Sequence, residues 1–359
     1  MEEALLMDPA FWAATTAHAP GAEFPEVEGD LPGLVYFQTS GSTGEPKWIG
    51  LTREALLLSA AVVNRHLGVT GDDTWGLLLP LHHVGGFGVV ARAFEAGCRL
   101  SRLPGRWDPV TALDWLTREK ISHCPMVPAQ VHDLVAAGLR APAELRTIVV
   151  GGGSMSDELG RSARGLGWPV LASYGMTEAG SQIATQSLEQ RQLPFHAAPI
   201  PLLPHWQACG GPDDRLEIEG AALFSGMLTP SAGRLRYQPR APGRFATTDR
   251  VQLDGREITV LGRSDRRVKV LGELVDLDSI ESRFESSILV ALPDPRRGSR
   301  LVLVTSLAAS GEQVAAFNRE VAGPWRIDAV LHCDELPRTP LGKPDRRAAG
   351  RLASARSAC

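Results

Sequence analysis

Short apolar runs alternate with longer amphipathic stretches between residue 34 and about residue 190. The apolar runs have the length and side-chain character of strands, and they cover residues 34–37, 74–79, 122–127, 145–150 and 169–173. The stretches with helical spacing cover residues 53–67, 84–96, 109–120 and 129–137. This alternation predicts βαβ units and a largely parallel sheet.

The pattern changes on either side of this region. Residues 1–33 predict a short helical lead-in followed by a loop rich in Pro, Gly and Glu. From about residue 200 to residue 262, short strand-like runs lie between Gly, Pro and Asp turns, which predicts a β-rich subdomain. A polar break at residues 262–266 follows. We therefore predict an α/β protein with a large N-terminal domain over residues 1–264 and a small α+β C-terminal domain over residues 265–359.

Residues 39–47 have the composition of a loop that binds polyphosphate. The loop follows the first predicted strand and precedes a capped helix start at Thr52. It contains Thr39, Ser40, Gly41, Ser42, Thr43, Gly44 and Lys47. Glycines let backbone N–H groups approach anionic oxygens, hydroxyls donate hydrogen bonds, and the lysine adds a positive charge. The loop differs from a Walker A motif, because its lysine follows a proline rather than a glycine.

Lysine is rare in this chain, so its positions are informative. Of 37 basic residues, only Lys47, Lys120, Lys269 and Lys343 are lysine. A compact ammonium contacts one oxygen in a narrow site, where a planar guanidinium would not fit in the same way. We interpret Lys120 as a solvated surface charge. Lys343 lies on a loop stiffened by Gly and Pro, and we interpret it as functional.

Other polar segments also suit a nucleotide. Thr177 and Glu178 follow a predicted strand, and a single carboxylate beside phosphates can hold Mg²⁺. Residues 151–153 are three glycines after another strand, where a flat base could lie against the backbone. Asp249 offers a carboxylate suited to ribose hydroxyls. Each segment alone has an ordinary explanation as a turn, cap or surface loop; their order along one chain indicates a common site.

Charge and cysteine content narrow the classes of function. The net charge of −4 gives no general basic field for nucleic acid or for an anionic membrane. The five cysteines are dispersed and lack CxxC spacing, which argues against a disulfide framework or a zinc site and favours a reducing cytoplasm. The acidic N-terminus lacks the features of a signal peptide, and no apolar run reaches the roughly 18 residues of a membrane helix.

In their residues and in their order along the chain, these segments resemble the motifs of the adenylate-forming superfamily of acyl-CoA synthetases, luciferases and peptide-synthetase adenylation domains. The matching segments read TSGSTGEPK, YGMTE, RLEIEGAALFSGM, TTDRV, GRSDRRVKVLGE and LPRTPLGKPDR. The resemblance implies a two-step reaction. A carboxylate attacks the α-phosphate of ATP to give acyl-AMP and pyrophosphate, and a thiol such as that of coenzyme A then takes the acyl group.

The resemblance also implies roles by motif position. The β- and γ-phosphates would be held by Thr39, Ser40, Thr43 and Lys47, with Gly41, Ser42 and Gly44 completing the loop. Thr177 would contact the α-phosphate and Glu178 would hold the Mg²⁺. The adenine would be framed by Gly151, Gly152, Gly153 and Tyr174, and the ribose would be held by Asp249 and Arg263.

For the small domain, the resemblance implies mobility. Lys343 would bridge the substrate carboxylate and the α-phosphate and would neutralise charge in the transition state. After adenylation the domain would rotate about the hinge Asp265. This rotation would withdraw Lys343 and bring Lys269, Gly272 and Glu273 to the thiol.

The sequence departs from the family pattern at several positions. Only 33 residues precede the phosphate strand, and Trp48 replaces a glycine that usually follows the loop lysine. Arg266 replaces an acid after the hinge, and Leu277 and Ser279 stand where Pro and Glu are usual. These departures bear on the thiolation step more than on adenylation.

Residues 77–86 suggest the acid. They resemble a segment of o-succinylbenzoate–CoA ligases of menaquinone biosynthesis, with His83 at the histidine position, and residues 125–130 resemble a second segment of those enzymes. We therefore predict o-succinylbenzoate as the acid and His83 as a residue close to it. The alternative for His83 is packing in the wall of the acyl tunnel.

Two other functions remain open: another aryl or fatty acyl-CoA ligase, and a non-catalytic nucleotide-binding homologue. Intact Thr43, Glu178, Asp249 and Lys343 argue against the second. The expected partners are a carboxylic acid, ATP and CoA, with no nucleic acid and no membrane span. A homodimer is left open by the sequence.

Overall fold

The computed structural model describes residues 2–24, 26–39, 47–231, 233–308, 310–339 and 342–357. Seven residues of the predicted phosphate loop, 40–46, lie outside these ranges, and they include the predicted site residues Ser40, Gly41, Ser42, Thr43 and Gly44. The chain divides into two units. Unit 1 comprises Met1–Cys209, Glu217–Phe245 and Leu253–Thr259, and unit 2 comprises Gly210–Leu216, Ala246–Gln252 and Val260–Cys359.

The helices of unit 1 are α1 Glu2–Leu6, α2 Pro9–Ala13, α3 Arg53–His66, α4 Val84–Ala96, α5 Pro109–Arg118, α6 Pro128–Ala136 and α7 Asp157–Gly165. Its strands up to residue 201 are β1 Val27–Glu28, β2 Val35–Thr39, β3 Lys47–Leu51, β4 Thr74–Leu77, β5 Arg99–Arg102, β6 His123–Met126, β7 Thr147–Val150, β8 Val170–Met176, β9 Ser181–Thr185 and β10 Ile200–Pro201. The β-rich stretch then adds β11 Gln207–Gly210, β12 Arg215–Glu219, β13 Gly226–Ser231, β14 Arg234–Pro239, β15 Phe245–Asp254 and β16 Glu257–Arg263.

The alternating region of the sequence forms a six-stranded sheet in the order β5-β4-β6-β7-β8-β9. The pairs from β5 to β8 are parallel, and β9 is antiparallel to β8. Strands β4, β6 and β7 are buried along their whole length, as expected where helices cover both faces of a parallel sheet. The predicted α/β fold is confirmed.

A second sheet carries the strands on either side of the phosphate loop. Its order is β1-β14-β13-β3-β2, with β2 antiparallel to β3 and β3 antiparallel to β13. Trp48, at the second position of β3, is 5% exposed and belongs to a core cluster with Tyr36 and Leu228. The residue that departs from the family glycine is therefore a core residue of this sheet.

Unit 2 has mixed α+β structure. Its remaining elements are β17 Arg267–Val270, β18 Glu273–Asp276, α8 Leu277–Glu281, β19 Ser287–Asp294, β20 Gly298–Thr305, α9 Ser310–Glu320, β21 Ala329–His332 and α10 Arg346–Ser357. Strands β17 and β18 form a hairpin, while β20 pairs with β19 antiparallel and with β21 parallel. Buried apolar residues of β19, β20, α8 and α9 form its main core.

None of the helices in the described ranges has the length and apolarity that crossing a bilayer requires.

Candidate nucleotide and acid site

The phosphate hairpin brings Thr39 and Lys47 opposite each other. The two residues are cross-strand partners at the ends of β2 and β3, and the Thr39 hydroxyl donates to the Lys47 carbonyl at 3.3 Å. The Lys47 side chain is exposed. The hairpin therefore places Thr39 and Lys47 together at the base of the loop, and their role in phosphate binding stays a prediction.

Thr177 and Glu178 lie in a short 3₁₀ turn, Thr177–Ala179, directly after β8. The turn ends at Gly180, whose φ of +61° lies in the left-handed region that glycine adopts readily. Just before the turn, β8 and β9 approach so closely that a Cβ on Gly175 would lie 1.7 Å from the Ser181 carbonyl oxygen. Backbone packing thus fixes where the turn begins and ends.

Residues 220–225 connect this turn to the phosphate hairpin. The Phe224 N–H donates to the Glu178 carbonyl at 2.8 Å, and the neighbouring Ser225 N–H donates to the Gly50 carbonyl in β3, also at 2.8 Å. Two consecutive peptide groups therefore hold the Glu178 turn and strand β3 together. This segment belongs to the RLEIEGAALFSGM motif, so three separate motifs meet in one backbone arrangement within unit 1.

The three glycines follow β7 and extend between its two neighbours. The Gly151 N–H donates to Met126 of β6 at 3.1 Å, and a Cβ on Gly151 would lie 3.5 Å from the Ser173 carbonyl of β8. Gly152 has a φ of +79°. Tyr174 follows Ser173, so the glycines and the predicted adenine-framing tyrosine lie at adjoining strands, at the carboxyl ends where ligands of parallel sheets bind.

His83 immediately precedes α4, and its carbonyl accepts from the N–H groups of Gly86 and Phe87, both at 3.0 Å. The turn before it is tight, because a Cβ on Gly86 would lie 2.2 Å from the Pro80 carbonyl oxygen. The rings of His82 and His83 lie 4.3 Å apart. Sequence and structure agree that His83 lies at a sharply turned helix start.

Arg92 is a buried cation that the sequence reasoning missed. It lies in α4, is 2% exposed, and lies over the Trp75 ring at 5.3 Å. Its terminal nitrogen donates to the Ser181 hydroxyl over a long 3.4 Å, and no described carboxylate is within ion-pairing distance. Burial lowers the pKa of Arg92 to about 10. The signal in the sequence is a single arginine inside the apolar helix VGGFGVVARAF.

In unit 2, Asp249, Arg263 and Asp265 form one charged group. The Arg263 guanidinium donates twice to the Asp265 carboxylate, both at 2.8 Å, and lies 3.7 Å from the Asp249 carboxylate. The hydrogen bond to Asp265, supported by the charges of Asp265, Asp249 and Asp278, raises the pKa of Arg263. The predicted ribose and hinge residues are therefore adjacent.

Lys343 lies in a tight turn before α10. The Thr339 N–H donates to the Lys343 carbonyl at 2.8 Å, and the Arg338 guanidinium donates to the Gly342 carbonyl at 2.7 Å. Although the Lys343 side chain reaches the surface, desolvation first and the positive charge of Arg263 second lower the pKa of its ammonium. Arg263 and Lys343 therefore lie close enough within unit 2 for their charges to repel.

Lys269 and Glu273 flank the tip of the β17–β18 hairpin. Leu271 and Gly272 at the tip both have left-handed φ angles, +51° and +87°. Left-handed φ angles at both central residues are what a two-residue type I′ hairpin turn requires, and leucine adopts this region at a cost. Leu271 and Leu274 are each 52% exposed.

Comparisons with known proteins place the chain among AMP-binding enzymes. The family model described as AMP-binding enzyme matches residues 7–206. A 2-succinylbenzoate–CoA ligase of Staphylococcus aureus (strain MRSA252) is 26% identical over 334 residues, covering 88% of this chain and 65% of the relative. The chain thus spans about two thirds of the length of the curated relatives it matches.

Solved structures agree on the fold. An o-succinylbenzoate CoA synthetase (MenE) from Bacillus subtilis with the acyl-adenylate OSB-AMP has a TM-score of 0.74 at 23% identity, covering 88% of this chain and 68% of that one. An ATP-bound RpMatB-BxBclM chimera has a TM-score of 0.76 at 20% identity, covering 89% of this chain and 68% of that one. Similar scores for two differently named proteins show a shared fold rather than a shared acid. With the family model matching more than half of its length, the chain belongs to the AMP-binding enzyme family.

Proposed function

We propose that this protein is an ATP-dependent acid–CoA ligase that works through an acyl-AMP intermediate. The observation that carries the proposal is the pair of consecutive peptide hydrogen bonds from Phe224 and Ser225, which join the Glu178 turn to the phosphate hairpin. A carboxylate and an ammonium held on one backbone frame can hold a metal–polyphosphate between them. A mere nucleotide-binding homologue has no requirement for a lysine such as Lys343 on a tight turn.

In this proposal, Thr39, Ser40, Thr43 and Lys47 hold the β- and γ-phosphates, Thr177 contacts the α-phosphate, and the glycines 151–153 with Tyr174 frame the adenine. Glu178 supplies a carboxylate oxygen, the ligand type that Mg²⁺ prefers, and Mg²⁺ when bound would neutralise phosphate charge. Asp249 and Arg263 hold the ribose. Lys343 neutralises charge as the acid attacks the α-phosphate, and Lys269, Gly272 and Glu273 serve the thiol step after movement about Asp265.

We propose o-succinylbenzoate as the acid, which would place the enzyme in menaquinone biosynthesis. This acid has two carboxylates, so one remains charged when the other reacts, and a buried carboxylate is costly without a cation. Arg92 supplies such a cation on the helix that His83 begins, and it is buried without a described carboxylate partner. The 2-succinylbenzoate–CoA ligases among the relatives support the same acid.

The experiment compares pyrophosphate release by wild type, Arg92→Met and Arg92→Lys, with o-succinylbenzoate and with benzoate. Methionine keeps the volume and removes the charge, so we expect kcat/KM for o-succinylbenzoate to fall about 10²-fold, the order expected when a buried charge pair loses one partner. Benzoate turnover should change little, and lysine should restore part of the loss. Equal losses for both acids would show that Arg92 supports the fold rather than the choice of acid.

Cytoplasmic location is part of the proposal, because ATP and CoA are available there. A homodimer is the assembly to test first, since two-fold dimers are the commonest soluble oligomers. Sedimentation of the purified chain distinguishes monomer from dimer.

A further inference from the structure

Residues 2–24, which we call the lead-in segment, are tied to α3 by one arginine. Arg53 is 3% exposed and donates to three carbonyls, those of Phe11 at 2.7 Å, Thr16 at 3.0 Å and Gly33 at 3.0 Å. Its guanidinium also lies over the Phe11 ring at 4.7 Å. Breaking any of these bonds would leave a buried polar group without a hydrogen-bond partner, which is costly. The guanidinium therefore fixes the path of the chain segments whose carbonyls it binds. The lead-in segment is therefore an integral part of unit 1.

The lead-in segment pairs with the edge strand, β2, of the sheet that carries the phosphate hairpin. His18 pairs with β2 through its backbone, accepting from Tyr36 at 2.8 Å and donating to Leu34 at 2.9 Å. Strand β2 is the last strand in the order of its sheet, so this pairing protects an edge. Further along, the Phe24 ring lies 6.1 Å from the ring of Trp48, the residue that follows Lys47.

The same segment reaches the turn that carries His83. Gly21 has a φ of +62°, and its N–H donates to the Glu2 carboxylate at 2.8 Å. A Cβ on Gly21 would lie 3.5 Å from the Cβ of His82, and the His82 ring lies 4.3 Å from that of His83. The exposed residue His82 thus lies between the lead-in segment and His83, the predicted acid-site residue.

Aromatic contacts hold the other side of α4. Trp12 stacks on Phe94 at 5.3 Å and meets Phe87 edge-on at 5.8 Å. Phe87 lies one helical turn after His83 and also packs on Phe37 of β2 at 5.2 Å. Such aromatic pairs contribute beyond their buried area. The lead-in segment therefore contacts both the start of α4 and the helix side that follows it.

We propose that the lead-in segment is a positioning element for the acid site: it fixes His83 by packing Gly21 on His82, and fixes α4 by packing Trp12 on Phe87 and Phe94. The expected change in KM for the acid rests on the proposed function. The expected restriction of His83 and α4 does not. The close approach of Gly21 to His82 restricts the position of His82, whose ring lies against that of His83. This restriction lowers the conformational entropy that substrate binding would otherwise have to remove.

Gly21→Leu tests the inference, with Gly29→Leu as its matched control. Both glycines have left-handed φ angles, +62° and +80°, so both variants carry the same kind of backbone strain. The added side chain meets His82 at position 21, whereas nothing lies within 4 Å of a Cβ at position 29. We expect Gly21→Leu to raise KM for the acid about tenfold, as displaced groups at a reacting centre do, with KM for ATP unchanged. Gly29→Leu should leave both constants unchanged.

A second readout does not depend on turnover. Carbon-13 and proton NMR of the histidine rings, assigned by single His→Gln variants, should show the His82 and His83 signals shifted in Gly21→Leu and unshifted in Gly29→Leu. Glu2→Ala, which removes the acceptor of the Gly21 N–H without adding bulk, should shift the same signals by a smaller amount. Unshifted His83 signals in both Gly21→Leu and Glu2→Ala would overturn the inference. If His82 and His83 signals shift in Gly21→Leu while the wild-type protein activates no acid, the inference is supported and the proposed function is refuted.

Discussion

The two units hold their candidate site residues by different means. In unit 1, peptide groups do this: Phe224 and Ser225 bond to Glu178 and Gly50, and Gly151 bonds to Met126. In unit 2, ion pairs between charged side chains add to backbone bonds such as the one from the Thr339 N–H to the Lys343 carbonyl. Arg263 pairs with Asp265, and Arg266 pairs with Asp278 at 2.8 Å and with Glu281 at 2.7 Å.

This difference predicts different vulnerabilities. Peptide hydrogen bonds join neutral groups and depend little on salt, so the unit 1 residues should be sensitive to added bulk. Partly exposed ion pairs are screened by salt and are sensitive to the loss of a charge. The Arg266 pairs are largely buried, and a network of several charges resists screening better than an isolated pair. Steric substitutions should therefore damage unit 1, and charge-removing substitutions should damage unit 2.

The largest expected effect is that of Lys343→Ala. Removing the ammonium should slow adenylation about 10³-fold, the order seen when one preorganised transition-state contact is lost. ATP binding should be nearly unchanged, and transfer to CoA should persist when acyl-AMP is supplied. Pyrophosphate release, nucleotide titration and the second half-reaction measure the three quantities. Equal loss of both half-reactions would remove Lys343 from the first step.

Glu178→Gln tests the metal role within unit 1. The amide keeps the shape of the turn and removes the charge, so we expect adenylation to slow about 10²-fold and the Mg²⁺ requirement to rise. Titrating Mg²⁺ at fixed ATP measures both changes. Superimposable titrations for variant and wild type would show that Glu178 does not hold the metal.

A purely steric variant, Gly175→Ala, sharpens the comparison for unit 1. The new Cβ would lie 1.7 Å from the Ser181 carbonyl oxygen, so β8 and β9 must move apart and the Glu178 turn with them. A displacement of about 1 Å at a reacting centre costs up to about 10²-fold in rate, and we expect a loss of about 30-fold in kcat. The control is Gly165→Ala, where nothing lies within 4 Å of the new Cβ. Similar activity in the two variants would contradict backbone positioning.

The smallest effect is expected for Glu281→Gln in unit 2. Glu281 accepts from Arg266 and from the Leu289 N–H, and it also pairs with Arg346, three residues after Lys343. Losing its charge should slow adenylation only about threefold, because Asp278 still pairs with Arg266 and the amide oxygen can still accept from the Leu289 N–H. Salt should then slow the variant less than it slows wild type. Glu320→Gln, in an exposed pair with Arg283, is the control and should match wild type at every salt concentration.

Much of the fold follows from the local pattern. Helix α4 spans Val84–Ala96, the predicted range, because an apolar stripe and the glycine that ends it are both local signals. Likewise Thr52 caps α3 through its hydroxyl. Strand β4 ends at Leu77 rather than at residue 79, because the chain must turn for Gly86 to approach Pro80.

The rest depends on contacts between distant segments. Hydrophobic pattern shows that α4 is buried and does not show that Arg92 faces Ser181, 89 residues away. The sequence shows only that Arg266 replaces an acidic residue that is usual in the family. Its ion-pair partners, Asp278 and Glu281, are known only from the structure. The lead-in segment gave no chemical signal, because its contribution is packing against Trp48, His82 and Phe87. Roles that require a bound substrate, such as those of Asp249 and Lys343, remain predictions.

The central claim is tested most directly by one comparison on the wild-type protein. Pyrophosphate release and CoA-dependent AMP release are measured with o-succinylbenzoate, benzoate and medium-chain fatty acids, and kcat/KM is compared across the acids. We predict that o-succinylbenzoate gives the highest value and that AMP release with it requires CoA. Better turnover of any monocarboxylate would contradict the proposed acid and leave a general acyl-CoA ligase, and no pyrophosphate release with any acid would contradict the proposed activity itself.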